Sequence, residues 1–217
     1  MIIAIDGPSG AGKGTVARAI AKRLGFRHVD SGAMYRAVGW KALHDGVAFD
    51  DELAVAAIAS GADLGVSDEA VTIDGTDVTR AIRTPEIDRA ATAVARLPKV
   101  RAALVARQRA HGQQGGIVME GRDIGTVVFP HADVKVYLDA SPDERARRRA
   151  QDPAHSGGPI AVADVATALT ARDELDRTRL VSPLYAAPDA VVVDTTGKSI
   201  DDVVAVVMNL VEAREGT

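Results

Sequence analysis

Nine consecutive residues near the start of the chain, Gly7-Pro8-Ser9-Gly10-Ala11-Gly12-Lys13-Gly14-Thr15, have the types and spacing needed to grip phosphate. Glycines let successive backbone N–H groups converge on an anion, and a helix starting at such a turn adds the positive end of its dipole. Lys13 can then reach the β- and γ-phosphates of a nucleoside triphosphate. Further candidates lie downstream: Ser31 and Arg36 in "DSGAMYR" (30–36), and Arg122 and Asp123 in "EGRD" (120–123). Arg172, Asp176 and Arg179 recur at i, i+4 and i+7, continuing the apolar stripe of Val165 and Leu169 on one helical face. Arg145, Arg148 and Arg149 form one more cluster. Arginine outnumbers lysine 20 to 6, and its planar fork suits phosphate and carboxylate. From the residues alone, plainer explanations stand beside these: a bias toward Arg and Ala, a simple helix start at Ser31, a surface ion-pair ladder at 172–179, and a solvated face at 145–149.

The elements that must position these groups follow from periodicity. Five β-rich runs, Ile2–Asp6, Phe26–Val29, Ile117–Glu120, Val134–Leu138 and Ala190–Asp194, are mostly separated by helical patterns, which predicts a parallel α/β sheet. A helix is expected from Lys13, with Val16, Ile20 and Leu24 on one face and Gly25 closing it. Ser141-Pro142-Asp143-Glu144 and Thr84-Pro85-Glu86 read as helix starts, and the last helix spans about Ile200–Ala213. "AVTIDGTDVT" (70–79) alternates around Asp74-Gly75 and reads as a hairpin, foreign to a plain βαβ repeat. It marks a small inserted lobe. "DPAHSGGP" (152–159) has no periodicity and reads as a mobile loop. In an open α/β sheet, ligands bind beyond the carboxyl ends of the strands. The phosphate loop, Ser31, Arg36, Arg122 and Asp123 all fall there. The loop departs from GxxxxGK[ST]: Gly14 follows the lysine and Thr15 comes one later, which displaces the usual magnesium-binding hydroxyl. No direct protein metal ligand is therefore assigned.

Composition removes several function classes. Net charge is −4, pI about 5.7, and aromatic residues make up 3%, against an extended nucleic-acid platform. There is no cysteine, hence no disulfide, thiolate metal site or catalytic thiol, which fits a reducing, cytoplasmic setting. No apolar run reaches the ~18 residues of a membrane span, and the start reads as a strand, not a signal peptide. A GTPase switch needs an Asn-Lys-x-Asp segment, and the single asparagine, Asn209, is followed by Leu. An ATP-driven motor or sensor stays open from the phosphate loop alone.

The segments "IDGPSGAGKGT", "DSGAMYR", "EGRDIGTVVFP", "VYLDAS" and "RDELDRTRLVSPL", in this order and spread over nearly the whole chain, resemble the bacterial cytidylate kinases. The resemblance implies a P-loop NTPase-type five-stranded parallel sheet flanked by helices (1–40 and 113–217), an inserted β-containing acceptor lobe (41–112) and a short lid (about 149–160). It implies transfer of the γ-phosphate of ATP to CMP or dCMP with Mg²⁺, in a monomer that binds small nucleotides. Other nucleoside monophosphate kinases, with UMP or AMP as acceptor, are the nearest alternative. ATP would lie on Gly7–Thr15 and Arg148, with Lys13, Arg122, Arg172 and Arg179 as catalytic cations. Ser31, Arg36, Arg122 and Arg179 would grip the acceptor phosphate. Asp176 and Arg172 would meet the ribose, and Thr92, Arg101 and Asp123 the cytosine. The family usually has Ser at the position of Thr92 and Asp at that of Glu120.

Overall fold

The central strand of the sheet is apolar at every buried position that packing requires. The computed structural model describes residues 1–152 and 162–216. In it β1 (Ile2–Asp6) pairs in parallel with β6 (Ile117–Gly121) and β7 (Val134–Asp139). β2 (Arg27–Asp30) joins β6, and β8 (Val191–Asp194) joins β7, both parallel, giving the order β2-β6-β1-β7-β8. All five carboxyl ends thus open on one edge. Five strand boundaries, in four strands, shift by one residue from the sequence reading; the architecture is the expected one. The loop expected over Asp152–Pro159, and the lid around 149–160, lie outside the described residues from 153 onward, while Arg149 and Ala150 complete a helix.

Helices cover both faces. α1 (Lys13–Leu24) and α8 (Ile200–Glu215) pack Val16, Ile20, Val203 and Val207 against Ile3, Ile5 and Val136. On the other face α2 (Ser31–His44), α4 (Pro85–Val94) and α5 (Pro98–Gly112) pack Met34, Val38, Val94 and Leu104 against Ala4 and Met119. α3 (Glu52–Gly61) adds Val55 and Ala59 to that cluster. Helix starts follow their caps: Thr84 and Ser141 accept from backbone N–H groups three residues on, with proline next in line. Ser199 makes a reciprocal capping box with Asp202.

The hairpin is β4 (Val71–Ile73) and β5 (Thr76–Asp77), with Asp74 and Gly75 both at positive φ, as a tight two-residue turn requires. A third strand, β3 (Leu64–Val66), pairs antiparallel with β4. The sequence reading missed it because three residues are too short to show alternation. This small sheet packs Val71, Ile73 and Val78 on Ala33 and Ala37 of α2.

Leu104 is fully buried where α5 meets the sheet. Leu104→Ala is expected to cost about 2–5 kcal/mol of stability, the usual range for a buried cavity-forming truncation. Urea unfolding of the variant beside wild type checks this.

Candidate active site

The phosphate loop leaves β1 at Gly7, and the chain there has no room for a side chain. Gly7 lies at φ +147°, and a β-carbon would run into the carbonyl oxygen of Leu138 on β7. Gly10, at φ +81°, is pressed as closely against the backbone of Arg145. These contacts draw the loop over the sheet edge and into the first turn of α1. Beneath it the carboxylate of Asp6 accepts N–H bonds from Ile124 and Gly125 at 2.8 and 2.7 Å. It thereby holds the π-helical turn Ile124–Val128 that follows Asp123. Burial, opposed by those two bonds, pushes Asp6 up to about 6.

Lys13 is buried, and its Nζ donates to the carbonyl oxygen of Pro8 at 2.7 Å. Burial, then the nearby Arg122 guanidinium, pulls its pKa down to about 7 against the opposing charges of Glu120 and Asp30. The ammonium is folded back on its own loop and is easily neutralised.

A cavity of about 700 Å³ opens on this loop, within the range of small-molecule sites. It collects Ser9, Gly10, Ala11, Gly12, Lys13, Gly14 and Thr15 with Arg148 at one end, and Ser31, Arg36, Thr92, Arg101, Arg122, Asp123, Arg172, Asp176 and Arg179 at the other. Ser9 and Arg179, 170 positions apart in sequence, therefore share one chamber. Gly7 and Pro8, expected to meet ATP, do not line it; they form the stem of the loop, where Gly7 packs under Leu138.

The charged groups are paired inside. Arg101 and Asp123, both buried, form a hydrogen-bonded ion pair, with the Arg101 guanidinium 5.6 Å from the Tyr35 ring centroid. Arg122 Nε donates to Asp176 at 3.0 Å, and Arg179 lies 3.8 Å from Asp176 and 3.7 Å from Asp123. Burial lowers the pKa of Arg179 first, then the Arg101 charge. Burial would raise the Asp176 carboxyl, but Arg122, Arg172 and Arg179 outweigh it and hold the group below its ordinary value. Buried side-chain nitrogens without a hydrogen-bond partner, among the described residues, include Arg101 Nε, Arg172 Nε and Arg179 Nη2. Arg101, Arg172 and Arg179 all line one chamber, and their cationic groups favour an acceptor-rich, anionic ligand there.

Some expected placements change. Asp30, not Ser31, caps α2 by accepting from the Ala33 N–H at 3.0 Å. Ser31 is the first helical residue, and its hydroxyl donates to the Glu120 carbonyl oxygen at 2.6 Å. At Gly121, just before Arg122 and Asp123, a β-carbon would meet Ser31 and Ile124, so close packing demands glycine. Arg145 does not face the chamber: it is buried, pairs with Asp173 and donates to the Ser9 and Ala140 carbonyl oxygens. Thr92 directs its hydroxyl to the Asp88 carbonyl oxygen at 2.9 Å from the chamber wall. Arg148 is anchored to Thr195 by two hydrogen bonds.

The sequence reading missed Asp30, Tyr35, Glu120, Thr195 and Lys198 as lining residues; Arg149, part of its arginine cluster, does line the chamber. Thr195 and Lys198 follow β8, where the rule of strand carboxyl ends points. Among the described residues no group of three or more His, Cys, Asp or Glu side chains could hold a metal ion. Asp30 and Glu120 nevertheless offer hard oxygen donors on the chamber wall, suited to a magnesium ion that keeps its water.

A parallel sheet of this order, with a glycine-rich phosphate loop facing a ring of arginines, defines a P-loop kinase. A gluconokinase from Sinorhizobium meliloti 1021 shares the fold, with TM-score 0.52 at 16% identity over 99% of this chain and 93% of that one. Residues 3–213 match the family model described as cytidylate kinase. A cytidylate kinase of Solibacter usitatus (strain Ellin6076) is 47% identical over 216 residues, covering 99% of this chain and 93% of that protein. One of Desulfitobacterium hafniense (strain Y51) is 48% identical over 211 residues, covering 96% and 91%. The chain belongs to the cytidylate kinase family.

Because burial holds Lys13 near pKa 7, a polyphosphate should recharge it. At pH 8, tripolyphosphate binding is expected to take up more protons in wild type than in Lys13→Met, by about one-half to one proton, and the difference should vanish near pH 6. Calorimetry in buffers of differing ionisation enthalpy reads it; equal uptake by both proteins at pH 8 contradicts the assignment.

Proposed function

We propose that the protein transfers the γ-phosphoryl group of ATP to CMP or dCMP, giving ADP and CDP or dCDP. The observation that carries this is the buried Arg101–Asp123 pair beside the arginines that face the phosphate loop in one chamber. Family membership gives the class of acceptor. In this reading an acceptor phosphate oxygen attacks the γ-phosphorus, and the bond to the β–γ bridging oxygen breaks. No general base is needed, since a phosphomonoester is already largely dianionic at neutral pH. Positioning and charge neutralisation supply the rate.

The roles then divide by place. Gly10 to Thr15 and Lys13 cradle the ATP phosphates, with Gly7 and Pro8 shaping the loop and Arg148 and Thr195 at its outer end. Ser31, Arg36, Arg122 and Arg179 grip the acceptor phosphate; Asp176 and Arg172 meet the ribose. Thr92, Arg101 and Asp123 read the base. Mg²⁺, when bound with the nucleotide, neutralises charge on the β- and γ-oxygens, and Asp30 and Glu120 are the carboxylates that would hold its water. We place the reaction in the cytoplasm and expect a monomer. No described helix is long and apolar enough to cross a membrane.

Base choice follows from hydrogen-bond polarity. Cytosine offers an N4 donor beside an N3 acceptor; uracil reverses both. The Asp123 carboxylate only accepts and Arg101 only donates. A site built this way separates the two bases by about two to four powers of ten in kcat/KM, since each mispaired buried group costs roughly 1–3 kcal/mol. A coupled ADP-release assay with each monophosphate in turn tests this. CMP and dCMP should stimulate strongly and UMP weakly; stimulation by none favours a sensor or motor. Asp123→Asn is expected to narrow the CMP/UMP gap, mainly through lost CMP activity. Lys13→Ala should lower turnover far more than thermal stability.

A further inference from the structure

One carboxylate binds three arginines that come from three different elements. Asp88 stands in the first turn of α4, where the helix dipole favours negative charge. Its Oδ1 lies 3.2 Å from Arg36 Nε of α2 and 3.2 Å from Arg172 Nη1 of α7 (Val162–Thr178). Its Oδ2 accepts from Arg149 Nη2, near the end of α6 (Pro142–Ala150). The three arginines lie 52, 61 and 84 residues from it in sequence, so nothing local assembles them.

The side from which Asp88 acts matters. Arg36, Arg149 and Arg172 all line the phosphate-loop chamber; Asp88 does not. Asp88 instead lines a second cavity, of about 560 Å³, between α4 and α7, and Arg149 and Arg172 form part of the wall between the two. The carboxylate therefore holds the guanidinium groups from behind. Each engages Asp88 through only part of its fork, Arg36 through Nε, Arg149 through Nη2 and Arg172 through Nη1. The Arg172 Nε is buried with no hydrogen-bond partner. Further carboxylates act on the same arginines, Asp30 at 3.8 Å from Arg36 and, at longer range, Asp152 on Arg149 and Asp176 on Arg172; Asp88 is the one that joins all three. Without Asp88, three guanidinium groups at such close quarters would repel and splay.

We propose that Asp88 is a positioning residue: it aligns Arg36, Arg149 and Arg172 from the outer side into one phosphate-gripping ring and so couples the acceptor lobe to α6 and α7. This rests on the kinase reading above. It goes beyond it, because Asp88 lies outside the chamber proposed for the nucleotides and would act on them through the arginines. A competing arrangement, in which Asp88 occupies the place of the acceptor phosphate and must be displaced, predicts effects of opposite sign.

The test is steady-state kinetics of Asp88→Asn and Asp88→Glu beside wild type, with thermal melting of each. Asp88→Asn keeps the size and removes the charge. It is expected to raise KM for CMP about tenfold and lower kcat about tenfold, within what small misplacements of binding groups cost, with KM for ATP little changed. Asp88→Glu should recover most of the loss. Should Asp88→Asn not fold, Asp88→Ser carries the same comparison. A lowered melting temperature with unchanged constants for the folded protein makes Asp88 merely structural and overturns the proposal. A lowered KM for CMP overturns it in favour of displacement. A wild type active on CMP with Asp88→Asn unchanged refutes the role of Asp88 alone. A wild type inactive on CMP refutes the kinase reading, and this proposal with it.

Discussion

Everything at the carboxyl edge of the sheet depends on keeping a group of buried cations solvated by protein. An unpaired guanidinium or ammonium withdrawn from water costs several kcal/mol. The chain meets that cost with carboxylates drawn from distant elements: Asp123 for Arg101, Asp176 for Arg122, Asp173 for Arg145, and Asp88 for three arginines together. Removing one partner of such a buried pair costs about 3–5 kcal/mol. Exposed pairs such as Lys41–Asp45 and Arg147–Glu144 are screened by solvent and add little. The buried network, not the number of ion pairs, fixes the relative positions of α2, α4, α6 and α7.

Lys13 illustrates the same constraint without a carboxylate of its own. It satisfies one N–H on Pro8 and lowers its affinity for a proton. The phosphate loop is thereby less positive than the sequence suggests, and a bound polyphosphate would restore the charge. His28 shows the opposite solution. Burial would lower its pKa, but Glu120 and Asp68 on either side of the ring outweigh that and raise it. Through this histidine the small sheet of the inserted lobe is joined to the floor of the phosphate site.

What could be read from the sequence was whatever repeats locally. The five strands, the loop from Gly7 to Thr15, the caps at Thr84 and Ser141, and the Asp74-Gly75 turn all carry signals within a few residues. So does the set of arginines, because the motifs around them are short and ordered. The pairings could not be read. Asp88, Asp6 and Asp173 act across 28 to 119 residues, and no spacing rule links positions so far apart. Arg145 shows the cost of local reading: beside Arg148 and Arg149 it looks like part of a cluster, yet its side chain turns inward to the loop carbonyl of Ser9. Asp30, not Ser31, is the cap because its carboxylate accepts from the Ala33 N–H, while Ser31 already lies in the helix and its hydroxyl donates across the sheet edge to the Glu120 carbonyl oxygen.

Helix α2 carries a mechanical consequence. It is an unbroken rod of 14 residues, about 21 Å long at 1.5 Å per residue. One end is pinned to the sheet at Ser31 and Glu120. The far end carries Lys41, 3.4 Å from Asp74 at the hairpin turn. Along its length Gly39 lets α4 lie close enough for Ala90 to touch it. Rod and hairpin are thus one arm with its fulcrum at residue 31. A tilt of about 5° there would sweep the outer end by about 2 Å, given that length. Arg36, one turn from the fulcrum, would barely move, and Asp88 of α4 is tied to it and to Arg149 and Arg172. The length of a single helix thus sets a fixed grip apart from an outer hairpin that a small rotation would displace.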